Sequence, residues 1–320
     1  MNIVLINTLF VDEKYLKEQK SSFNKMGHNF SYYLAKPKDD EELISRVKDA
    51  DIIIDDNTPL REKILKKCAK LKYIDVAFTG IDHIDVDYCK ENNIKISNAQ
   101  GYATEGVAEL TVSFILAFLR NILPLDSLTR NHCSKGNIIG KEIKEKTVGI
   151  IGTGAIGIRT IELLKPFGTK IIAFSKTIKK EVIEMGVEYK ELKDVMKYSD
   201  IISINVPLNS DTNKLINKDM LDLMKPDALL INTARGGVLD EEYLTEILKN
   251  KKIAGACLDV FEEEPPLNET YNELLSLSNV ILTPHVAYFT EEAMKKRAEI
   301  TFDNLYSYLN NSVNFKNRII

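Results

Sequence analysis

The sequence contains no tryptophan and only four cysteines among its 320 residues. Cys68, Cys89, Cys133 and Cys257 are scattered, without a Cys-x-x-Cys pair or a histidine at metal-ligand spacing. This distribution favours reduced, mostly buried thiols over a disulfide framework or a metal site. We therefore expect a cytoplasmic protein with no bound metal.

An excess of positive charge and long apolar runs are also missing. The net charge of −4 provides no basic field, which argues against nucleic acid as a partner. No apolar run approaches the roughly 20 residues that span a bilayer. Residues 1–5 lack the basic segment of a signal peptide and are typical of a first strand. We expect no membrane partner.

A glycine-rich stretch at residues 147–157 reads TVGIIGTGAIG. A β-branched apolar run leads into Gly152-x-Gly154-x-x-Gly157, and an amphipathic segment follows at residues 158–167. Glycines also serve plain turns, but the order strand, turn, helix is the context that a dinucleotide fingerprint requires. Gly152 would make the tight turn, Gly154 would admit a pyrophosphate, and Gly157 would bring helix and strand together. The phosphates would lie at the helix N-terminus.

Apolar strand patterns alternate with helical patterns along the whole chain, which predicts parallel α/β sheets. The first strands are expected at residues 2–7, 29–34, 51–55, 71–76 and 95–98. The fingerprint strand would begin a doubly wound sheet of six strands, continued at residues 170–175, 201–206, 228–233, 253–260 and 279–283. A final helix at 290–309 indicates a return to the first domain, so that the larger domain is inserted in the smaller one with a cleft between them.

Three polar residues follow three strands of the larger predicted sheet. They are Arg235, a carboxylate of the acidic run Glu262–Glu264, and His285. Ligands bind beyond the carboxyl ends of parallel strands. Moving a hydride to or from an alcohol carbon also moves a proton, for which a histidine is suited. A carboxylate would hold the His285 ring and raise its pKa, and Arg235 would bind a substrate carboxylate.

Each of these residues alone has a plain structural explanation, as a surface ion pair, a solvated acidic run or a structural histidine. Their coincidence on one sheet edge beside a fingerprint favours a catalytic site. His28, His83 and His132 have no comparable setting, and we expect them to be structural.

Several ordered motifs resemble those of the D-isomer-specific 2-hydroxyacid dehydrogenases. They are TGIDHID at residues 79–85, the segment from Asn98 through VAE at 107–109, NTARG at 232–236, LDVF at 258–261 with Glu264-Pro265, and TPH at 283–285. The resemblance runs from about residue 50 to the last helix. It implies a Rossmann-type dinucleotide-binding domain at residues 99–287, inserted in a flavodoxin-like substrate domain at residues 1–98 and 288–320.

The resemblance also implies roles for individual residues. Arg235 would bind the substrate, His285 would be the acid/base, Glu264 its partner, and Asp259 would hold the nicotinamide carboxamide. Substrate contacts are expected from Phe78, Thr79, Gly80, Arg235 and His285. Cofactor contacts are expected from Thr104, Gly152, Thr153, Gly154, Ala155, Ile156, Gly157, Ser175, Lys176, Thr177, Val206, Pro207, Thr233, Ala234, Arg235, Asp259 and His285. Members are typically homodimers, which agrees with the all-round apolar helix pattern at residues 104–122.

The end of the second strand of the dinucleotide domain bears on the choice of coenzyme. NAD-specific members usually carry an aspartate there, and this chain has Ser175, Lys176 and Thr177. A lysine with two hydroxyls favours NADPH over NADH, because a 2′-phosphate is bound best by a positive, hydroxyl-lined pocket. The alternative is a relaxed NAD site in which Lys176 points to water.

The expected reaction is reduction of a small 2-oxo acid to the D-2-hydroxy acid. Phe78, Tyr102 and Tyr288 would make a compact, partly apolar pocket without an extra cation for a phosphate. Pyruvate, hydroxypyruvate, glyoxylate and short branched 2-oxo acids all remain open. Two alternatives also remain: a dinucleotide-sensing regulatory protein of the same fold, and a dehydrogenase for an unusual acid such as formate or phosphite.

Overall fold

The structure, a computed structural model, describes residues 1–266, 269–310 and 317–320. Residues 267–268 and 311–316, which fall in the predicted dinucleotide-binding and substrate domains, lie outside these ranges. The chain divides into two compact units. We call Met1–Ala103 with Phe289–Ile320 the first unit and Thr104–Tyr288 the second unit.

The described residues contain twelve strands and thirteen α-helices, numbered in chain order. The strands are β1 (Asn2–Leu5), β2 (Asn29–Tyr32), β3 (Ile52–Asp55), β4 (Tyr73–Val76), β5 (Lys95–Asn98), β6 (Thr147–Ile151), β7 (Lys170–Phe174), β8 (Glu188–Tyr189), β9 (Ile201–Ile204), β10 (Leu229–Asn232), β11 (Gly255–Leu258) and β12 (Val280–Leu282). The helices are α1 (Glu13–Lys25), α2 (Asp40–Val47), α3 (Glu62–Leu65), α4 (Val86–Glu91), α5 (Thr104–Leu119), α6 (Ile122–Arg130), α7 (Ala155–Leu164), α8 (Lys180–Glu184), α9 (Leu192–Tyr198), α10 (Lys218–Leu221), α11 (Glu241–Lys249), α12 (Asn272–Ser276) and α13 (Glu291–Leu309).

The first unit is built on a parallel sheet with the strand order β2-β1-β3-β4-β5 within the described ranges. This is the flavodoxin-like order. The apolar runs of β1 and β3 are buried, as parallel strands covered on both faces require. Helix α13 adds Phe302 and Leu305 to a core that contains Phe23 and Phe30, so the C-terminal helix completes this unit.

The second unit is built on a parallel sheet with the order β12-β11-β10-β9-β6-β7-β8 across the residues that the structure describes. The order from β8 through β6 to β11 is that of a Rossmann-type doubly wound sheet. The predicted fold class is therefore confirmed. The prediction of six strands is wrong, because β8 adds a seventh. Strand β8 has only two residues, one exposed and one half-buried, so it produces no apolar run in the sequence.

Helix α5 carries the apolar pattern that stood out in the sequence. Its buried residues include Val107, Phe114 and Ile115, and it packs against α7 inside the second unit. Among the described residues, no single helix is both long and apolar enough to cross a bilayer, although α5 and α6, bent by 61° at their junction, reach that length and composition together.

Candidate active site

The backbone of the turn after β6 fits the roles predicted for its three glycines. Gly152 has a φ of +98°, and a Cβ there would lie 2.5 Å from the carbonyl oxygen of Asn205. A Cβ on Gly157 would lie 2.0 Å from the carbonyl oxygen of Gly152, which shows how closely the helix approaches the turn. A Cβ on Gly154 would meet no atom within 4 Å. The backbone at Gly154 therefore borders open space.

The residues around this turn fit a dinucleotide. Helix α7 begins at Ala155, so the N–H groups of Ala155, Ile156 and Gly157 belong to a first helical turn that lacks intrahelical acceptors. The positive end of the helix dipole lies at the same place. Asn205 Oδ1 is buried and has no hydrogen-bond partner among the described residues, which leaves an acceptor beside the turn. Phosphates match the donors, and a ribose hydroxyl would suit the acceptor.

The side chain of Thr153 is buried within the protein. It is 1% exposed, and its hydroxyl lies 2.9 Å from the hydroxyl of Tyr189. The backbone N–H of Lys179 donates to the Tyr189 hydroxyl at 3.2 Å. The Thr153 hydroxyl thus ties the glycine turn to β8. Its backbone is the part suited to a phosphate contact.

The predicted coenzyme-selecting residues follow β7 directly. Ser175 is half-buried, and Lys176 and Thr177 are exposed. Lys176 Nζ lies 2.5 Å from Asp211 Oδ2, and the hydrogen bond and charge of Lys176 lower the pKa of Asp211. Lys176 therefore has an anionic partner instead of pointing only to water. Such an exposed pair is weak, so a phosphate could compete for the lysine.

The other expected cofactor positions lie in the second unit at the ends of its elements. Thr104 begins α5. The remaining positions follow strands that lie in sequence across one half of the sheet: Val206 and Pro207 after β9, Thr233 and Ala234 after β10, Asp259 after β11, and His285 after β12. Parallel strands place all these residues at one edge, the edge where β6 enters the glycine turn.

His285 and Glu264 form a direct pair at this edge. His285 Nδ1 lies 2.6 Å from Glu264 Oε2, and Glu264 Oε1 accepts from the backbone N–H of Phe261 at 3.1 Å. Burial raises the pKa of Glu264, but the hydrogen bond and charge of His285, together with the Phe261 N–H and the charge of Arg235, outweigh burial and lower it. Glu264 is therefore an ionised acceptor, and Nδ1 is the donor.

Asp259 holds the loop that carries His285. Its buried carboxylate accepts from the Thr283 hydroxyl at 2.5 Å and from the N–H groups of Val286 and Ala287 at 2.8 and 2.9 Å. Burial raises the pKa of Asp259 despite these bonds. His285 has a φ of 53°, a costly conformation for a non-glycine residue, and its N–H donates to the Asp259 carbonyl at 2.8 Å. Contact of Asp259 with a carboxamide stays a prediction.

Arg235 is placed by a close backbone crossing. A Cβ on Gly236 would lie 2.0 Å from the carbonyl carbon of Phe261, so only glycine allows the two loops to approach. Asn232 Nδ2 donates to the Arg235 carbonyl at 2.9 Å, and Arg235 Nη1 donates to the Ala234 carbonyl at 2.8 Å. The loops carrying Arg235 and Glu264 are therefore held side by side.

Glu241 is a supporting residue that sequence reasoning missed. It is 5% exposed and accepts from the Glu262 N–H and from the Tyr271 hydroxyl, both at 3.0 Å. The Tyr271 hydroxyl in turn accepts from the Glu263 N–H at 3.0 Å. Burial raises the pKa of Glu241 to about 7. In the sequence it is one glutamate of an ordinary first helical turn, and nothing there distinguishes it.

In the first unit, the predicted substrate turn Phe78, Thr79 and Gly80 follows β4. Asn98 Nδ2 donates to the Thr79 carbonyl at 2.8 Å, which holds the turn in place. The rings of Phe78 and Tyr102 are both buried, with centroids 6.0 Å apart. Tyr288 belongs to the second unit, where its ring packs edge-on against His285 at 5.3 Å.

A cation lies beside Tyr102, one of the residues predicted to line a substrate pocket without an extra cation. Arg297 on α13 is 1% exposed, and its Cζ is 6.0 Å from the centre of the Tyr102 ring. In the sequence it follows Lys295 and Lys296, which makes it look like part of a solvated face. Its place one turn after Ala293 and one turn before Thr301, both buried, was the signal that could have identified it.

His83 has a carboxylate partner that the sequence did not reveal, and its structural role stays a prediction. His83 Nε2 lies 3.0 Å from Asp55 Oδ2, and the two side chains are 11% and 0% exposed. Burial raises the pKa of Asp55 and outweighs the hydrogen bond and charge of His83. Asp55 ends β3 and His83 lies in the loop after β4, so the parallel register brings together residues that are distant in sequence.

The four cysteine thiols are free, and three of them, Cys68, Cys89 and Cys257, are buried. Within residues 1–266, 269–310 and 317–320, no three histidine, cysteine, aspartate or glutamate side chains come together in a way that could hold a metal ion.

Comparison with known sequences gives a family match over the second unit. Residues 112–287 match the family described as "D-isomer specific 2-hydroxyacid dehydrogenase, NAD binding domain". A D-3-phosphoglycerate dehydrogenase of Methanocaldococcus jannaschii is 41% identical over 273 residues, covering 84% of this chain and 52% of that protein. A glyoxylate reductase of Thermococcus litoralis is 39% identical over 276 residues, covering 83% and 82%. The chain thus spans about half of the first relative.

Solved structures resemble the chain over its full length. An acyclic imino acid reductase in complex with NADPH and D-Arg has a TM-score of 0.89 at 33% identity and covers 100% of both chains. A D-lactate dehydrogenase from Aquifex aeolicus, complexed with NAD and lactic acid, has a TM-score of 0.86 at 28% identity and covers 98% of this chain and 96% of that one.

Proposed function

The chain belongs to the D-isomer-specific 2-hydroxyacid dehydrogenase family of NAD-dependent oxidoreductases, and from that premise we propose that it reduces a small 2-oxo acid to the D-2-hydroxy acid. The observation that carries the proposal is the 2.6 Å pair of His285 and Glu264, at the sheet edge where the glycine turn lies. A proton donor and a dinucleotide site at one edge are what carbonyl reduction needs.

The residues of the second unit divide the work of this reaction. The bound nicotinamide coenzyme supplies the hydride. Arg235 binds the substrate carboxylate through its planar fork, and its charge polarises the carbonyl. His285 donates a proton from Nε2 to the carbonyl oxygen, while Nδ1 stays bonded to Glu264. The ionised Glu264 fixes the ring orientation and stabilises the protonated imidazole. In the reverse direction His285 accepts the proton.

We propose that the first unit is the substrate domain and that the second unit is the dinucleotide-binding domain. The N–H groups of Phe78, Thr79 and Gly80 would bind the substrate carboxylate, and the bond from Asn98 to Thr79 supports this turn. The glycine geometry and the first turn of α7 support the assignment of the second unit.

For the coenzyme we propose a preference for NADPH over NADH. Lys176 and Thr177 are exposed at the end of β7, where NAD-specific members usually carry an aspartate, and offer a cation and a hydroxyl to a 2′-phosphate. Asp211 holds Lys176 near this position. The test is the ratio of kcat/KM for NADPH to that for NADH. Lys176→Ala is expected to lower the value for NADPH and leave that for NADH unchanged; equal losses for both coenzymes would contradict this role.

We also propose that the protein is a homodimer. Ile122, Leu123 and Ile139 of the second unit are 52%, 53% and 86% exposed, and Asn121 Nδ2 donates to the Ile139 carbonyl at 3.2 Å, so these apolar residues lie near the end of α5. A second copy of the chain would cover them. Analytical ultracentrifugation should show a dimer that Ile139→Asp weakens, and a monomeric native chain would contradict the proposal.

The experiment that tests the reaction is oxidation of NADH and NADPH with pyruvate, hydroxypyruvate, glyoxylate, phenylpyruvate and 2-oxoisocaproate. Turnover with at least one 2-oxo acid is expected, and it should be lost in His285→Ala. Tight coenzyme binding without turnover of any 2-oxo acid would contradict the proposal and would favour a dinucleotide-sensing protein.

A further inference from the structure

Arg297 is a buried cation that the proposed mechanism does not use. Its side chain is 1% exposed, and its Nε and Nη2 have no hydrogen-bond partner among the described residues. A guanidinium keeps its charge in proteins, and a buried charge without a counter-ion is strongly unfavourable. An anion that is not part of the described chain would remove this cost.

The two atoms without partners lie on the same edge of the guanidinium group. Nε–H and the adjacent Nη2–H point in nearly the same direction and are spaced to meet both oxygens of one carboxylate. This is the arrangement in which arginine binds a carboxylate with two parallel hydrogen bonds. This edge of the guanidinium therefore has the shape of a carboxylate site.

The neighbours of Arg297 connect it to the predicted substrate turn. Its Cζ lies 6.0 Å from the ring centre of Tyr102, and that ring lies 6.0 Å from the ring of Phe78, the first residue of the turn. All three side chains are buried within the first unit. An anion held by Arg297 would thus lie beside the aromatic residues that the sequence assigns to the substrate pocket.

The helix that carries Arg297 is fixed to the same turn by a second route. Thr301 and Asn304 follow Arg297 on one buried face of α13. Asn304 Nδ2 donates to the Asn98 carbonyl at 2.9 Å, and Asn98 Nδ2 donates to the Thr79 carbonyl at 2.8 Å. The position of Arg297 relative to the turn is therefore set by hydrogen bonds as well as by packing.

We propose that Arg297 binds a second carboxylate of the substrate, so that the preferred substrate is a 2-oxo dicarboxylic acid. Arg297 is then a specificity-determining residue of the first unit. The proposal rests on the proposed 2-oxo acid reductase function, and it replaces the expectation of a pocket without an extra cation.

The test compares 2-oxo acids of equal chain length with and without a second carboxylate. Oxaloacetate is compared with 2-oxobutyrate, and 2-oxoglutarate with 2-oxovalerate, by kcat/KM under saturating coenzyme. In the native chain at least one dicarboxylate should exceed its neutral partner by about 10- to 100-fold, the factor expected of a charged, paired hydrogen bond.

Arg297→Met keeps an unbranched side chain and removes the charge. It should abolish the preference for the dicarboxylate and leave or improve the reduction of the neutral acids. Its thermal unfolding midpoint should not fall, because a buried charge without a partner has been removed. Arg297→Lys should retain part of the preference, since it keeps the charge but loses the planar fork.

Arg46→Met is the matched control in the same unit. The Arg46 side chain is 6% exposed and its Nε has no hydrogen-bond partner among the described residues, but its other two nitrogens are bound: Nη2 pairs with Glu42, and Nη1 donates to the carbonyls of Ile6 and Ala35 at 2.7 Å. Its replacement should lower the unfolding midpoint and leave the ratio of dicarboxylate to neutral substrate unchanged.

The outcomes separate this inference from the proposed function. Reduction of neutral 2-oxo acids without a dicarboxylate preference, or a preference that survives Arg297→Met, would overturn the inference and leave the reductase function intact. A preference for 3-phosphohydroxypyruvate over both dicarboxylates would overturn the carboxylate assignment. Failure of every 2-oxo acid with the native chain would overturn the function itself.

Discussion

Among the described residues, each unit of this protein contains one pair of a histidine and a carboxylate, and the two pairs differ in their separation and exposure. His285 and Glu264 lie 2.6 Å apart with side chains that are 20% and 34% exposed. His83 and Asp55 lie 3.0 Å apart with side chains that are 11% and 0% exposed. Glu264 and His285 follow β11 and β12 of the second unit, at the sheet edge where the glycine turn lies. Asp55 ends β3 of the first unit, and His83 lies in the loop after β4.

The surroundings of the two carboxylates drive their pKa values in opposite directions. At Glu264 the bond and charge of His285 outweigh burial and lower the pKa, whereas at Asp55 burial outweighs His83 and raises it. An ionised, partly exposed carboxylate can stabilise a histidine that gains and loses a proton with substrate. A fully buried one can only hold its partner in place. Solvent access, more than the pair itself, therefore separates the proposed catalytic pair from the structural one.

The largest expected difference between the pairs is in turnover. His285→Ala should lower kcat for 2-oxo acid reduction by about 10²- to 10⁴-fold, the usual contribution of a general acid. His83→Ala should leave kcat essentially unchanged, because its ring serves packing. Steady-state NAD(P)H oxidation measures both, and similar losses in the two variants would refute the distinction.

A smaller loss is expected when the charge of Glu264 is removed. Glu264→Gln should lower the reduction rate by about 10- to 100-fold, since a hydrogen bond to a charged group contributes about 1.5–3 kcal/mol and a neutral amide cannot stabilise a positive charge on the ring as the carboxylate does. Glu263→Gln, an exposed neighbour, is the control. A reduction rate unchanged in Glu264→Gln would count against its role.

The order of effects should reverse when stability is measured. His83→Ala leaves a carboxylate buried without its partner and should cost about 3 kcal/mol of unfolding free energy. His285→Ala removes a more exposed pair and should cost about 1 kcal/mol or less. Adding Asp55→Asn to His83→Ala should recover part of the loss. Urea unfolding followed by circular dichroism measures both free-energy costs, and equal costs for the two variants would contradict the expected order.

A separate set of effects concerns the dependence of stability on pH. Burial raises the pKa of Asp75 and of Glu241 to about 7, above the unfolded values of 3.8 and 4.5. The native state therefore binds these protons more tightly, so their stabilisation is complete at low pH and is lost as pH rises towards and through about 7. The maximum slope is roughly 1.4 kcal/mol per pH unit for each group.

Glu264 acts with the opposite sign. Its pKa is lowered, so its stabilisation is present above the unfolded value of 4.5 and is lost as pH falls through the native value. We compare the unfolding midpoints of each variant with those of the native chain between pH 4 and pH 8. The midpoints of Asp75→Asn and Glu241→Gln should fall less than those of the native chain as pH rises, and those of Glu264→Gln should fall less as pH drops. Parallel profiles for all three variants would contradict these directions.

Most of the fold could be predicted because parallel strands buried on both faces produce apolar runs. The run at residues 95–98 matched the bounds of β5 directly, and the family predicted from the motifs is confirmed by the match over residues 112–287. Strand β8 was missed because its two residues, one exposed and one half-buried, leave no apolar run in the sequence.

Pairings made by the fold could not be predicted from the sequence. His83 meets Asp55 only through the register of β3 and β4, and Glu241 meets the loop before Glu264 only because α11 packs there. Arg297 looked solvated because two lysines precede it, although buried residues flank it at helical spacing. Each of these residues is polar, and local patterns assign polar residues to the surface.

We propose that the His285 and Glu264 pair delivers a proton during reduction of a 2-oxo acid to a D-2-hydroxy acid. Chiral chromatography of the product, with NAD(P)H consumption followed in the same reaction, is the decisive test. We expect one D-2-hydroxy acid formed for each coenzyme oxidised by the native chain, and almost none by His285→Ala. An L-product, or equal product from both proteins, would contradict it.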